Sequence, residues 1–104
     1  MDISRTSSTR QTRISLAGEC TIYHAAEMKP LLLDDDSGLD RDVLLNLESV
    51  SALDSAGVQI LLMLRKQIAN AGGRLKIIAG NDTVAQVFAT LRLPSPFNPE
   101  EVIP

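Results

Sequence analysis

A chain of 104 residues makes a single domain, 1–104, that buries roughly two-thirds of the surface its unfolded form exposes. Hydrophobic residues are 44% of it while aromatics are 3% and Trp is absent, so the expected core is aliphatic. Ten basic against thirteen acidic residues leave a net charge of −3, which excludes a nucleic-acid surface, and a single Cys excludes an intramolecular disulfide. No apolar run approaches the roughly 18 residues of a membrane span, and Met1-Asp2-Ile3-Ser4-Arg5 lacks a secretion signal, so a cytoplasmic protein without membrane insertion is expected.

Residues 1–12 are polar, with Ile3 their only sizeable apolar side chain after Met1, and give little support to a strand. Arg13-Ile14-Ser15-Leu16-Ala17-Gly18-Glu19 alternates with period two and predicts a half-buried strand. Thr21 is placed to cap a helix whose Ala25, Met28 and Leu32 face inward. Pro30 predicts a kink in that helix, or its end just before. Asp34-Asp35-Asp36-Ser37-Gly38-Leu39-Asp40-Arg41-Asp42 reads as a solvated acidic loop.

Val43-Leu44-Leu45-Asn46-Leu47 is a nearly continuous apolar run, which predicts a central strand covered on both faces. A helix from about Ala56 to Ala71 ends at Gly72-Gly73, with Gly57, Leu61, Leu64, Ile68 and Ala71 as its core stripe. Leu75-Lys76-Ile77-Ile78-Ala79 is the next strand, after which Asn81 or Asp82 caps a short helix whose Val84, Val87, Phe88 and Leu91 fall at i, i+3, i+4, i+7. Pro94, Pro96 and Pro99 end regular structure, so residues 94–104 are expected as an irregular surface tail. Strands alternating with helices define an α/β fold.

The stretch that carries chemistry is Asp54-Ser55-Ala56-Gly57, where an apolar strand runs into a helix. Free N–H groups and the positive dipole end of a helix start favour an anion, so a phosphate on Ser55 would bring up to two negative charges to a favourable place. The plain alternative is a helix-capping Ser, a role worth about 1 kcal/mol. Farther along, Leu62 and Met63 fall off the core stripe on either side of the outward Lys66, and an exposed Met suits an adaptable partner surface.

Catalysis finds no support. Ser55 is outside any Gly-x-Ser-x-Gly elbow, and the only His, His24, lies on the first helix as a surface or helix-start residue. Cys20 reads as a small buried hydrophobe, and one Cys with one His makes no zinc site. Glu19 and Asp54 are placed to approach across neighbouring strand ends, where they shape the Ser55 loop rather than perform acid–base work. There is no phosphate-cradling Gly-rich loop, so neither a nucleotide nor any other cofactor is expected.

Gly18-Glu19-Cys20-Thr21, the strand Leu45-Asn46-Leu47, the turn Asp54-Ser55-Ala56-Gly57 and the exit Gly72-Gly73-Arg74-Leu75 together resemble the STAS domain of anti-sigma factor antagonists and sulfate transporter tails, over residues 13–93. The resemblance implies a small mixed sheet with helices mainly on one side. It implies that Ser55 is the phosphoacceptor, modified by a partner serine kinase that is often the anti-sigma factor itself and restored by a serine phosphatase. Only the unphosphorylated form would bind. Asp54, Ala56, Gly57, Glu19 and Thr21 then form the acceptor loop, with Thr21 standing where the family commonly has Asp, and Leu62, Met63 and Lys66 form the partner-binding face. Two other branches share features with this chain. Gly80-Asn81-Asp82-Thr83-Val84 and the Pro-rich terminus are similar to the STAS adaptor of phospholipid-trafficking ABC transporters, and Thr21–Glu27 is similar to chemotaxis-linked STAS regulators.

Overall fold

The structure is a computed structural model and describes residues 1–98. Its elements in chain order are β1 (Asp2–Ser7), β2 (Gln11–Cys20), α1 (Ala25–Leu33), β3 (Asp42–Leu53), α2 (Ser55–Asn70), β4 (Arg74–Ala79) and α3 (Asp82–Leu91). They form one mixed sheet of order β1-β2-β3-β4, with β1 antiparallel to β2 and the other two pairs parallel. The units β2–α1–β3 and β3–α2–β4 step across the sheet in the same direction. Because such crossovers share one hand, both helices land on the same face. This is the α/β arrangement, with helices on one side, that the sequence predicts.

Register and burial agree with a one-sided sheet. Ile14 of β2 pairs with Leu45 of β3 and Leu45 with Ile77 of β4, and all three are buried. The alternate row holds exposed Arg13 and Lys76 and a half-buried Leu44. β3 is therefore covered on one face only, not both as its apolar run predicts; Leu44 and Asn46 lie on the open side of the sheet. After Leu47 the inward phase slips, so that Glu48 and Ser49 are both exposed and Val50 returns to the core. The register shifts in this half of the β2–β3 pairing accompany that slip.

β1 is a full six-residue edge strand, although residues 1–12 give such a strand only weak support. Its register sets Ile3 against Leu16 and Arg5 against Ile14. An edge strand with one solvated face needs few apolar residues, because ladder hydrogen bonds hold it, and this is why periodicity missed it. Arg5 reaches inward to donate to the carbonyls of Asp35 and Ser37, and the buried Thr12 hydroxyl donates to the Gly38 carbonyl at 2.7 Å. With Leu39 fully buried, the acidic loop is solvated at Asp34–Ser37 but anchored at both ends.

Of the two outcomes expected at Pro30, the early end does not occur: α1 runs through Pro30 to Leu33. Pro30 and Ala26 are both exposed, so the carbonyl that loses its donor there faces water. Met28 and Leu32 are buried and Ala25 is half-buried against the core. α2 buries Gly57, Val58, Ile60, Leu61, Leu64 and Ile68, whereas Ala71, assigned to its core stripe, is exposed just past the helix end. There Gly72 adopts φ +90° and the Gly73 N–H reaches back to the Ile68 carbonyl at 2.9 Å, which closes the helix. In α3, Val84 and Phe88 are buried and Val87 is half-buried, while Leu91 at the end of the stripe is exposed.

The tail departs from expectation at one residue. Phe97 is fully buried, edge-on to Phe88 with ring centroids 5.4 Å apart, so residues 94–98 are irregular but partly in the core. The expectation for the rest of the tail falls on residues 99–104, outside the described residues.

Candidate functional site

β3 delivers Asp54 to the start of α2, and Asp54 is the helix cap. Its backbone is extended, with φ −120° and ψ −177°. Oδ1 accepts the Gly57 N–H at 3.0 Å, while Oδ2 accepts the Ile22 N–H at 2.9 Å from the loop between β2 and α1. One carboxylate thus closes the first turn of α2 and pins the neighbouring loop. Partial burial alone would raise its pKa. The N–H groups of Gly57, Ile22 and Ala56, with its own, outweigh that and hold it below the ordinary 3.8.

Since Asp54 takes the capping position, Ser55 becomes the first residue of the helix. It is exposed, and its hydroxyl makes no hydrogen bond to any described residue. It opens on a hollow of about 290 Å³ whose other wall is α3, through Gln86, Val87, Thr90 and Leu91. The capping role considered for Ser55 is therefore filled by its neighbour.

Gly57 is where α2 meets the end of β2. A Cβ there would lie 2.0 Å from the Cys20 carbonyl oxygen, a backbone atom that a side-chain rotation cannot clear. Only a glycine lets the helix start come so close. Cys20 is fully exposure-free beneath this contact, and burial pushes its thiol up to about 11, an inert packing residue. Ala56 is half-buried between Ser55 and Gly57.

The remaining predicted residues fall around this point. Glu19 is exposed on β2 opposite Ala52, and the Asp54 carboxylate bonds to main-chain N–H groups. Thr21 does not cap α1: the cap position is His24, with no side-chain cap bond, and the Thr21 hydroxyl oxygen is buried without a partner among the described residues. Its backbone carbonyl accepts the His24 N–H at 3.0 Å, so a turn intervenes before the helix. His24 lies 3.7 Å from Glu27, and no hydrogen bond links it to Ser55. Leu62 is half-buried against the core, while Met63 is 43% exposed beside exposed Lys66 on the outer face of α2.

Two parts of the surface escape sequence reasoning. Ile22 and Tyr23 are 64% and 86% exposed on the loop that Asp54 pins, next to Ala56. Their signal was available in retrospect, as two large apolar residues in succession just before a helix with its own inward stripe. The α3 wall of the Ser55 hollow had no such signal, because only the tertiary fold sets Gln86 and Thr90 beside residue 55.

Comparison with known proteins places this arrangement in a class. The family model described as the Mlab, STAS domain matches residues 3–95, and the chain belongs to the STAS family. Among individual relatives, the chain is similar to the anti-sigma-B factor antagonist of Staphylococcus aureus, 25% identical over 88 residues that cover 85% of this chain and 82% of that protein. The fold is similar to that of a Thermotoga maritima protein provisionally assigned as an anti-sigma factor antagonist, with TM-score 0.74, 20% identity, and coverage of 86% of this chain and 78% of that one. It is similar as well to the anti-sigma factor antagonist SpoIIAA in its unphosphorylated form, with TM-score 0.69, 20% identity and coverage of 88% and 82%. Among the described residues, no helix is long and apolar enough to cross a membrane.

Proposed function

We propose that this chain is a non-enzymatic regulatory module of the anti-sigma factor antagonist type, whose docking on a partner is switched by phosphorylation of Ser55. The partner is an anti-sigma factor or a related regulator with serine kinase activity, and a serine phosphatase restores the free hydroxyl. The docking surface is the Ser55 loop with the outer face of α2, where Leu62, Met63 and Lys66 lie.

One observation carries this reading: an exposed, unbonded hydroxyl at the first turn of a helix that another residue already caps. A phosphate added there meets the positive end of the helix dipole without displacing a structural bond, because Asp54 already holds the Gly57 N–H. The Asp54 carboxylate repels it, but Asp54 is turned toward the Ile22 and Gly57 amides. Modification then leaves the fold in place and acts by adding charge and bulk inside the docking patch. The curated relative and the structural neighbours named as antagonists support the same reading.

Incubation with the cognate serine kinase and ATP, followed by peptide mass spectrometry, is expected to find phosphate on Ser55. Ser55→Asp should abolish partner binding, while Ser55→Ala should keep binding and change folding stability by no more than about 0.5 kcal/mol, because Asp54 does the capping. Phosphate found elsewhere, or binding indifferent to Ser55→Asp, refutes the switch.

A further inference from the structure

Between α1 and α2 runs a furrow that overlaps the docking patch at Met63 and Lys66. Its upper part, about 420 Å³, begins at Ile22 and Ala56 and passes Ala26 to Met63. Its lower part, about 560 Å³, continues from Met63 past Pro30 and Leu33 to Asn70. The two adjoin at Met63 and Lys29, which line both, so together they make one furrow along the helices. From Ala56 to Asn70 it follows α2 for about 21 Å at ~1.5 Å per residue, the length of roughly four helical turns.

The chemistry of this channel is specific. Its lining includes large exposed apolar side chains, with Ile22 and Met63 64% and 43% exposed. Its two walls each carry a lysine, Lys29 from α1 and Lys66 from α2, and neither forms an ion pair among the described residues. Asp34, at the far end, is the only acid in the lining. The chain as a whole is acidic at −3, so two unpaired cations facing each other across an apolar groove are a local inversion of charge. A channel of this length, with apolar side chains along it, fits one amphipathic helix, read by its i, i+3, i+4, i+7 side chains. Lysines on both walls select a helix whose apolar ridge is flanked on both sides by carboxylates.

We propose that the α1–α2 furrow is a docking groove for an acidic amphipathic helix of the partner protein. The inference deepens the docking reading above, since Met63 and Lys66 belong to both surfaces, but it does not depend on Ser55 being phosphorylated. Met63 supplies an adaptable contact at the centre of the channel, and the two lysines set the orientation and charge of what enters.

The probe is a fluorescein-labelled synthetic 18-residue helix with a Leu/Met ridge flanked by Glu, set beside a second peptide with every Glu replaced by Lys. In anisotropy and ¹H–¹⁵N titrations, the acidic peptide is expected to bind and to shift amides of residues 25–33 and 59–70. The double variant Lys29→Glu, Lys66→Glu should weaken it by about tenfold and should prefer the Lys peptide, a swap of charge that unfolding cannot mimic. Ser55→Asp, outside the lining, should leave the peptide's affinity within about twofold. Failure of the Ser55 switch in the kinase experiment leaves this result standing. No binding, shifts confined to α3 or the sheet edge, or a double variant that binds both peptides as the parent does would each overturn the groove.

Discussion

Asp54 holds two elements with one side chain, and that makes it the residue on which the geometry around Ser55 turns. Its Oδ1 satisfies an orphan N–H of α2 and its Oδ2 fixes Ile22 from another loop. Losing a helix cap costs about 1–2 kcal/mol, and Asp54→Ala should show that cost in urea denaturation, together with faster hydrogen exchange at the Ile22 amide. The pH dependence has a definite sign. The folded pKa lies below the ordinary 3.8, so the carboxylate's contribution is complete well above 3.8 and disappears as pH falls through the lowered folded value. The stability gap between the parent and Asp54→Asn is therefore expected to be constant from about pH 7 to 5 and to shrink near pH 3. A gap that widened in acid would mean that Asp54 is stabilised as the neutral form, contrary to its donors.

At the scale of elements, Asn81 repeats the logic of Asp54 with a different chemistry. Its Oδ1 accepts the Val84 N–H at 2.9 Å and caps α3, while its amide nitrogen donates to the carbonyls of Val50 at 2.8 Å and Glu48 at 2.9 Å. Those carbonyls belong to β3 past its slip in register, so Asn81 ties α3 to the strand end that leads into Asp54. Asn81→Asp keeps the cap acceptor but turns a carboxylate toward two carbonyl oxygens. Asn81→Asp should therefore destabilise the fold by about 1–3 kcal/mol, as much as Asn81→Ala, although Asp is an equally good capping residue in isolation. Equal melting temperatures for the parent and Asn81→Asp would show that the cap alone matters. The sequence made such elements legible wherever a period was strong: the apolar run of β3, the stripe of α2 with its Gly72-Gly73 stop, and the stripe of α3. It gave only weak support to β1, which is held by ladder bonds rather than apolar periodicity, and it left open whether the helix would end before Pro30, because that cost depends on whether the freed carbonyl meets water. At the site, Asp54-Ser55 was readable because capping chemistry is local. The division of labour between the two residues was not, since it hangs on where Ile22 folds back.

The whole molecule is a thin slab. Its shortest extent is 20 Å, which matches one sheet and a single layer of helices at about 10 Å each. A core in one slab has open ends, and the end beside α3 is closed by the tail: Phe97 is buried against Phe88. The low aromatic content hid this, because a mean of 3% does not say that both Phe side chains meet in one place. The consequence for stability is large. Replacing a buried Phe by Ala costs about 3–5 kcal/mol, set against a total of roughly 5–15 kcal/mol for a domain of this size. Phe97→Ala should remove about a fifth or more of the folding free energy in guanidinium titration, whereas Phe97→Leu, which refills most of the volume, should lose less than about half as much. The same titration followed with the Cys20 thiol as probe should show labelling by iodoacetamide rising in step with unfolding, since the native thiol is buried and its pKa is near 11. If Phe97→Ala unfolded within about 1 kcal/mol of the parent, the tail would lie outside the core and α3 alone would have to close the slab. The expectation is the opposite: the irregular segment after α3 is a structural part of the domain, and the Ser55 hollow on the neighbouring face of α3 keeps its shape because that segment holds the helix down.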